Sequence, residues 1–155
     1  MYRPKIGYTT VSWAVHEASD RLETAIRDIA AVGFSAFETF AHTAEAIDGD
    51  EHHFKAMLDH YDLRLVCLDK TRSYYQDPGQ RAEIVADHIR SAQFLFAHGG
   101  EILMTVPRGV PDGSPRWSSE DFKVAAETLN EVGKAALDVG VRMALHPHWG
   151  TYIES

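Results

Sequence analysis

Five short apolar runs alternate with amphipathic stretches along the whole chain, and this alternation restricts the fold more than any other feature. The runs are Ile6–Thr9, Ala36–Phe40, Leu63–Leu68, Ile102–Val106 and Val141–Leu145. They are continuously apolar rather than alternating, as expected of parallel strands covered on both faces. Between them, Leu22, Ala25, Ile26, Ile29 and Ala30 recur at helical spacing. So do Phe54, Met57, Leu58 and Tyr61, then Ile84, Val85, Ile89, Ala92, Leu95 and Phe96, then Phe122, Ala125, Ala126, Leu129, Val132, Ala136 and Leu137. Ser19 or Asp20, with Glu23 at capping-box spacing, opens the first helix, and Gly33 closes it. Asp77-Pro78 reads as an N-cap followed by proline at the first helical position. Ser118 or Ser119 caps the last helix, and Gly140 ends it. The pattern is βα four times, then a fifth strand.

Two architectures are built from repeated βα units. A doubly wound sheet announces a nucleotide with a glycine-rich turn after its first strand. Here that turn reads Thr9-Thr10-Val11-Ser12-Trp13, with neither a G-x-G-x-x-G nor a P-loop lysine. The reading is therefore an α/β fold, a partial (β/α)8 barrel of about four βα units plus a fifth parallel strand, formed as one domain over residues 1–155. A complete barrel has eight units and ~250 residues, so the chain reads as the N-terminal part of a longer product. Its first and fifth strands are then open edges. Two copies that pair those edges as a homodimer are the alternative.

Composition narrows the functions. The chain has 15 Lys and Arg against 23 Asp and Glu, a net charge of −8, which disfavours a nucleic-acid partner. No apolar run approaches the ~18 residues of a membrane span. With a strand starting near the N-terminus there is no room for a signal peptide, and the expectation is a cytoplasmic protein. The lone Cys67 lies in an apolar run and reads as a buried structural thiol.

The candidate chemistry concentrates where strands end. His146 and His148 are two residues apart at the end of the fifth strand, so an extended chain presents both on one side. Strand ends form the rim where barrel chemistry occurs. Each imidazole is either a metal or substrate contact or a hydrogen-bonded rim residue. Trp149 follows in an exposed turn. Glu38, flanked by Phe37 and Phe40, is costly in a buried strand unless paired, and reads as either a substrate or proton-handling carboxylate or a structural ion-pair partner. Trp13 at the rim of the first strand either walls a pocket or packs. His42 lies just after the second strand and is a candidate for the rim. Asp69, Lys70 and Arg72 follow the third strand. Lys70 or Arg72 is a candidate phosphate or carboxylate contact, or else a solvated loop charge. Glu154 is a rim carboxylate or an exposed one. His52, His53, His60, His88 and His98 fall on or beside helices and read as surface or interface residues. Pro107–Trp117, stiffened by Pro107, Pro111 and Pro115, is a rim loop that serves as a lid or as a plain connector.

Three stretches resemble the xylose isomerase-like TIM-barrel superfamily, in its sugar phosphate isomerase/epimerase branch, which includes inosose dehydratases. Ile6-Gly7-Tyr8-Thr9-Thr10-Val11-Ser12-Trp13 resembles the first strand and its rim. Ala30-Ala31-Val32-Gly33-Phe34-Ser35-Ala36-Phe37-Glu38-Thr39-Phe40 resembles the "aGf.giE.f" second strand. Leu145-His146-Pro147-His148-Trp149-Gly150-Thr151-Tyr152-Ile153-Glu154 resembles the "HPH.GT.vE" fifth strand of one subgroup. The match is to the N-terminal five-eighths of such a protein.

The resemblance implies a divalent metal (Mn, Zn, Co or Mg) at the barrel mouth. It also implies a small sugar, sugar phosphate or cyclitol as the substrate of a metal-assisted isomerase, epimerase or dehydratase. His146 stands where many relatives place a glutamate ligand, and the family's other ligands come from later strands. His146 and His148 are the expected metal donors, Glu38 and His148 the acid/base groups, and Trp13, His42, Lys70, Trp149 and Glu154 the substrate contacts. Two further readings stay open. One is a ligand-binding domain without catalysis. The other is an endonuclease IV-type phosphodiesterase, against which the negative charge speaks.

Overall fold

The computed structural model describes residues 6–48, 53–72, 74–107 and 113–154. Five strands form one parallel sheet in sequential order: β1 (Tyr8–Thr9), β2 (Ala36–Phe40), β3 (Arg64–Arg72), β4 (Ile102–Pro107) and β5 (Arg142–Leu145). Five α-helices connect them: α1 (Leu22–Ala31), α2 (Ala41–Asp48), α3 (His53–Tyr61), α4 (Arg81–Ala97) and α5 (Ser119–Val139). A doubly wound sheet reverses its strand order at a switch point. This sheet never does, which is the arrangement of a partial βα barrel. Among the described residues, β1 pairs only with β2 and β5 only with β4.

The helix-facing side of the sheet carries the core. Phe37 of β2, Leu65 and Leu68 of β3 and Leu103 of β4 are fully buried there. They pack against Ile26 and Ile29 of α1, Phe54 of α3 and Leu95 of α4. Each such side chain contributes about 1.5–3 kcal/mol by leaving water. A second cluster joins Ile84 and Val85 of α4 to Ala125, Leu129 and Val132 of α5. His88, expected on the surface, is fully buried. Its Nδ1 donates to the Ile84 carbonyl at 2.8 Å, and its Nε2 lies 3.2 Å from the Tyr75 hydroxyl. An imidazole with both nitrogens partnered is cheap to bury.

The capping expectations divide. Ser118 and Asp121 form a reciprocal capping box at the start of α5, and Gly140 ends it at φ 97°. At α1, Ser19–Arg21 is instead a turn of 3-10 helix, and neither Ser19 nor Asp20 caps the helix. Asp77 does not cap α4 either. Its carboxylate accepts from the Gly79 N–H at 2.8 Å and from Gln80 Nε2 at 2.9 Å, closing a turn before the helix starts at Arg81.

Two elements differ most from the sequence expectation. Helix α2 follows β2 without a loop, and β3 runs on to Arg72 rather than stopping at Leu68. The register explains the second: Asp69, Lys70, Thr71 and Arg72 continue the ladder with Met104, Thr105, Val106 and Pro107. The rim segment Pro107–Trp117 falls partly outside the described residues, at 108–112. Its far end is anchored: Trp117 stacks on Tyr152 at 4.5 Å and 11°, and the Tyr152 hydroxyl donates to the Pro115 carbonyl at 2.9 Å. No helix among the described residues is long and apolar enough to cross a membrane.

Candidate functional site

The sheet face away from the core opens into a pocket of about 490 Å³ at the C-terminal ends of the strands, within the size range of small-molecule sites. Strand alternation decides which residues enter it. On β3, Leu68 turns to the helices, Asp69 into the pocket, Lys70 to the helices and Thr71 into the pocket. On β2, Phe37 is core and Glu38 faces the pocket, with Thr39 and Phe40 at the rim. Thr9 comes from β1, Met104 and Val106 from β4, and His146, His148, Trp149 and Thr151 from the segment after β5.

The histidine segment is held by its backbone. The His146 N–H donates to the Thr105 carbonyl at 2.9 Å, extending the β4–β5 ladder by one residue, and the His148 N–H donates to the Ile153 carbonyl at 3.0 Å. The Thr151 hydroxyl contacts the His148 carbonyl at 2.8 Å and the Ile153 carbonyl at 3.0 Å. The two rings lie 5.8 Å apart at 33°. His148 Nδ1 is 2.9 Å from the Trp149 carbonyl, which only accepts, so Nδ1 carries hydrogen and Nε2 is left as the acceptor of the neutral ring. His146 Nδ1 faces the Met104 sulfur at 3.1 Å, again leaving Nε2. Trp149 itself is 88% exposed.

Two carboxylates share the pocket. Burial pushes the Asp69 carboxyl above its ordinary value, and the nearby Glu38 charge adds to this. The Thr71 hydroxyl, which donates to it at 3.2 Å, and the His146 and His42 rings work the other way. Glu38 has no hydrogen bond or ion pair recorded among the described residues, and no Lys or Arg is among the residues lining the pocket. Beneath them, burial first and Glu38 second raise the Cys67 thiol to about 12. It is the inert thiol expected.

The other sequence candidates sit elsewhere, each for a physical reason. Lys70 lies on the helix side of β3, where its Nζ donates to Asp87 Oδ1 at 3.1 Å. Trp13 Nε1 donates to Asp28 Oδ2 at 3.0 Å, and its ring packs by Tyr8 and α1. This bond is the main cause that lowers the Asp28 carboxyl, with Arg27 second. His42, in the first turn of α2, is exposed, with Nε2 3.4 Å from the His16 carbonyl. Glu154 turns back to accept from the Gly150 N–H at 2.8 Å. The Arg72 side chain lies outside the described residues. The structure thus brings together Glu38, His146, His148 and Trp149. It adds Asp69 and Thr71, which lie beyond the apolar run that marks the third strand in the sequence. Their signal was the spacing of two from Cys67, which continues a strand face.

Among the described residues no three His, Cys, Asp or Glu side chains gather as a set able to hold a metal ion. A divalent site needs at least three protein donors as a rule, so these residues do not complete one.

A model of the xylose isomerase-like TIM barrel family matches residues 26–155. The chain belongs to that family. Within it, the chain is 24% identical to an inosose dehydratase of Glaesserella parasuis serovar 5, over 97% of this chain and 51% of the relative. Its fold matches a D-psicose 3-epimerase solved with D-tagatose, from Clostridium cellulolyticum H10, with TM-score 0.76 at 20% identity over 92% of this chain and 52% of the other. It also matches a zinc-bound IolI protein, with TM-score 0.71 at 14% identity over 97% and 54%. The chain spans about half the length of the curated relatives it matches.

Proposed function

We propose that this chain carries the proton-transfer side of an active site for an isomerase, epimerase or dehydratase of a small sugar or cyclitol with a carbonyl group. The observation that carries the reading is the placement of Glu38 and Asp69 on the pocket face of adjacent strands, within a pocket also lined by His146 and His148. Chemistry next to a carbonyl needs a base at the carbon acid and a donor for the oxygen. Glu38, free of competing partners among the described residues, accepts the proton. The Nε2 atoms of His146 and His148, the acceptors of the neutral rings, bind the hydroxyl groups at the oxygen end. The hydroxyls of Thr9 and Thr71 suit a polyol, and the exposed Trp149 ring offers a flat apolar face to sugar C–H groups. The relatives, named for inosose dehydration and ketose epimerisation, support this class.

The same two imidazoles are the donors this chain offers to a divalent ion such as Mn, Zn, Co or Mg. Further donors have to come from outside the described residues, and no step above depends on the ion. The test is a turnover screen of ketoses and keto-cyclitols, beside elemental analysis of the purified protein. Glu38→Gln should lower kcat by about 10²–10⁴-fold. His146→Ala and His148→Ala should lose any bound metal. Absence of turnover on every carbonyl polyol contradicts the reading.

A further inference from the structure

We infer that Met104 is an oxidation site in the pocket wall: a hydroperoxide converts its thioether to one sulfoxide epimer, and the new oxygen takes over the contact with His146. The placement of the side chain carries this. Met104 stands on the inner strand β4, opposite Asp69 in the β3–β4 ladder and opposite Ala144 in the β4–β5 ladder. It is half-buried and lines the pocket of about 490 Å³, which admits a molecule as small as a hydroperoxide. Asp69 and Thr71, which line the same pocket from β3, offer that molecule hydrogen bonds. The other two described methionines are placed differently. Met57 is buried in the core at 5% exposure, and Met143 packs against the cluster of Ala125, Leu129 and Val132. Cys67 does not compete, because burial pushes its thiol up to about 12 and leaves almost no thiolate.

His146 gives the reaction its handedness. A thioether carries no hydrogen, so in the 3.1 Å contact His146 Nδ1–H donates to one lone pair of Met104 Sδ. The ring covers that pair and leaves the other to react. The two pairs differ only in hand, so the one that attacks decides which epimer forms. The step balances. The free sulfur pair bonds to the outer oxygen of the hydroperoxide, and the O–O bond breaks with its pair on the inner oxygen. The inner oxygen takes the proton of the transferred hydroxyl and leaves as water or an alcohol. Sulfur loses two electrons, and the hydroperoxide gains them. The methionine chain is unbranched and turns easily, so the sulfoxide oxygen swings to the Nδ1 hydrogen. It accepts more strongly than the thioether sulfur and stands further out from the chain, which displaces the His146 ring. Sulfoxide reductases, one for each epimer, reverse the change. None of these steps depends on the proposed sugar chemistry.

The experiment treats the purified protein with hydrogen peroxide, digests it and follows each methionine by mass spectrometry. The epimers of the Met104 peptide are told apart by the two epimer-specific reductases. Met104 should gain oxygen on the order of ten-fold faster than Met57 or Met143, and one reductase should repair most of it. His146→Ala uncovers the second lone pair, so the excess of one epimer should disappear. In the unmodified protein the His146 ring resonances should move as Met104 oxidises. In Met104→Leu, a swap of similar volume, peroxide should leave them where they are. Oxidation of Met104 no faster than that of Met143 overturns the inference. So do equal epimers from the unmodified protein, an undiminished excess in His146→Ala, or a His146 ring that does not respond to oxidation.

Discussion

Lys70 Nζ donates to Asp87 Oδ1 at 3.1 Å on the helix side of β3, while its neighbour Asp69 faces the pocket from the other side. One strand thus separates a structural ion pair from a candidate catalytic carboxyl. The pair is largely buried, at 11% and 15% side-chain exposure, and Arg90 also reaches Asp87 at 2.9 Å. Lys70→Met should therefore lower stability by about 1–3 kcal/mol, since Asp87 keeps its contact with Arg90. Urea unfolding checks the loss, and KM for any substrate should not change. A raised KM with unchanged stability would place Lys70 in the site.

Asp69 gives a signed pH dependence. Its carboxyl is held above the ordinary value in the folded chain, chiefly by burial. The stability this group supplies is fully present below its unfolded pKa of about 3.9 and is lost as pH rises through the raised folded value. Asp69→Asn carries no such penalty. The variant should match the parent near the acid end of that window and exceed it in stability at neutral pH, in paired urea titrations. A variant less stable than the parent at neutral pH by more than at acid pH runs against this.

Cys67 should resist alkylation. Burial, with the Glu38 charge second, holds its thiol at about 12, so almost no thiolate exists near pH 8. Iodoacetamide labelling should follow unfolding, rising to the free-thiol rate in denaturant. Glu38→Gln should speed it only slightly, because burial is the larger cause. Labelling of the folded protein at the free-thiol rate would show that the β3 face is open at that depth.

Much of the scaffold was readable from residues alone. Ala36–Phe40 has the same bounds in the sequence and the structure, because its aromatic and β-branched residues follow the Gly33 turn. The Ser118 cap and Gly140 stop were equally plain. β3 was cut short because Asp69 and Thr71, the residues that make the pocket, end its apolar run. A strand that lines a polar site looks like a loop in sequence. Helix α2 was hidden because Ala41 follows Phe40 with no turn residue between them. The partners of Trp13 and Lys70 are not legible in the sequence for a different reason: Asp28 and Asp87 lie 15 and 17 residues away, and only the folded chain brings them close. For His146 and His148 the period of two was enough to put both on the pocket.

The most direct measurement of the account is backbone and side-chain chemical-shift mapping during titration with a keto-cyclitol or ketohexose. The account predicts shifts at Glu38, Asp69, Thr71, Met104, His146 and Trp149, with Lys70, Asp28 and Trp13 unmoved. Shifts confined to the helix side, or to the recess formed by Tyr8, Trp13 and Asp28, would contradict it.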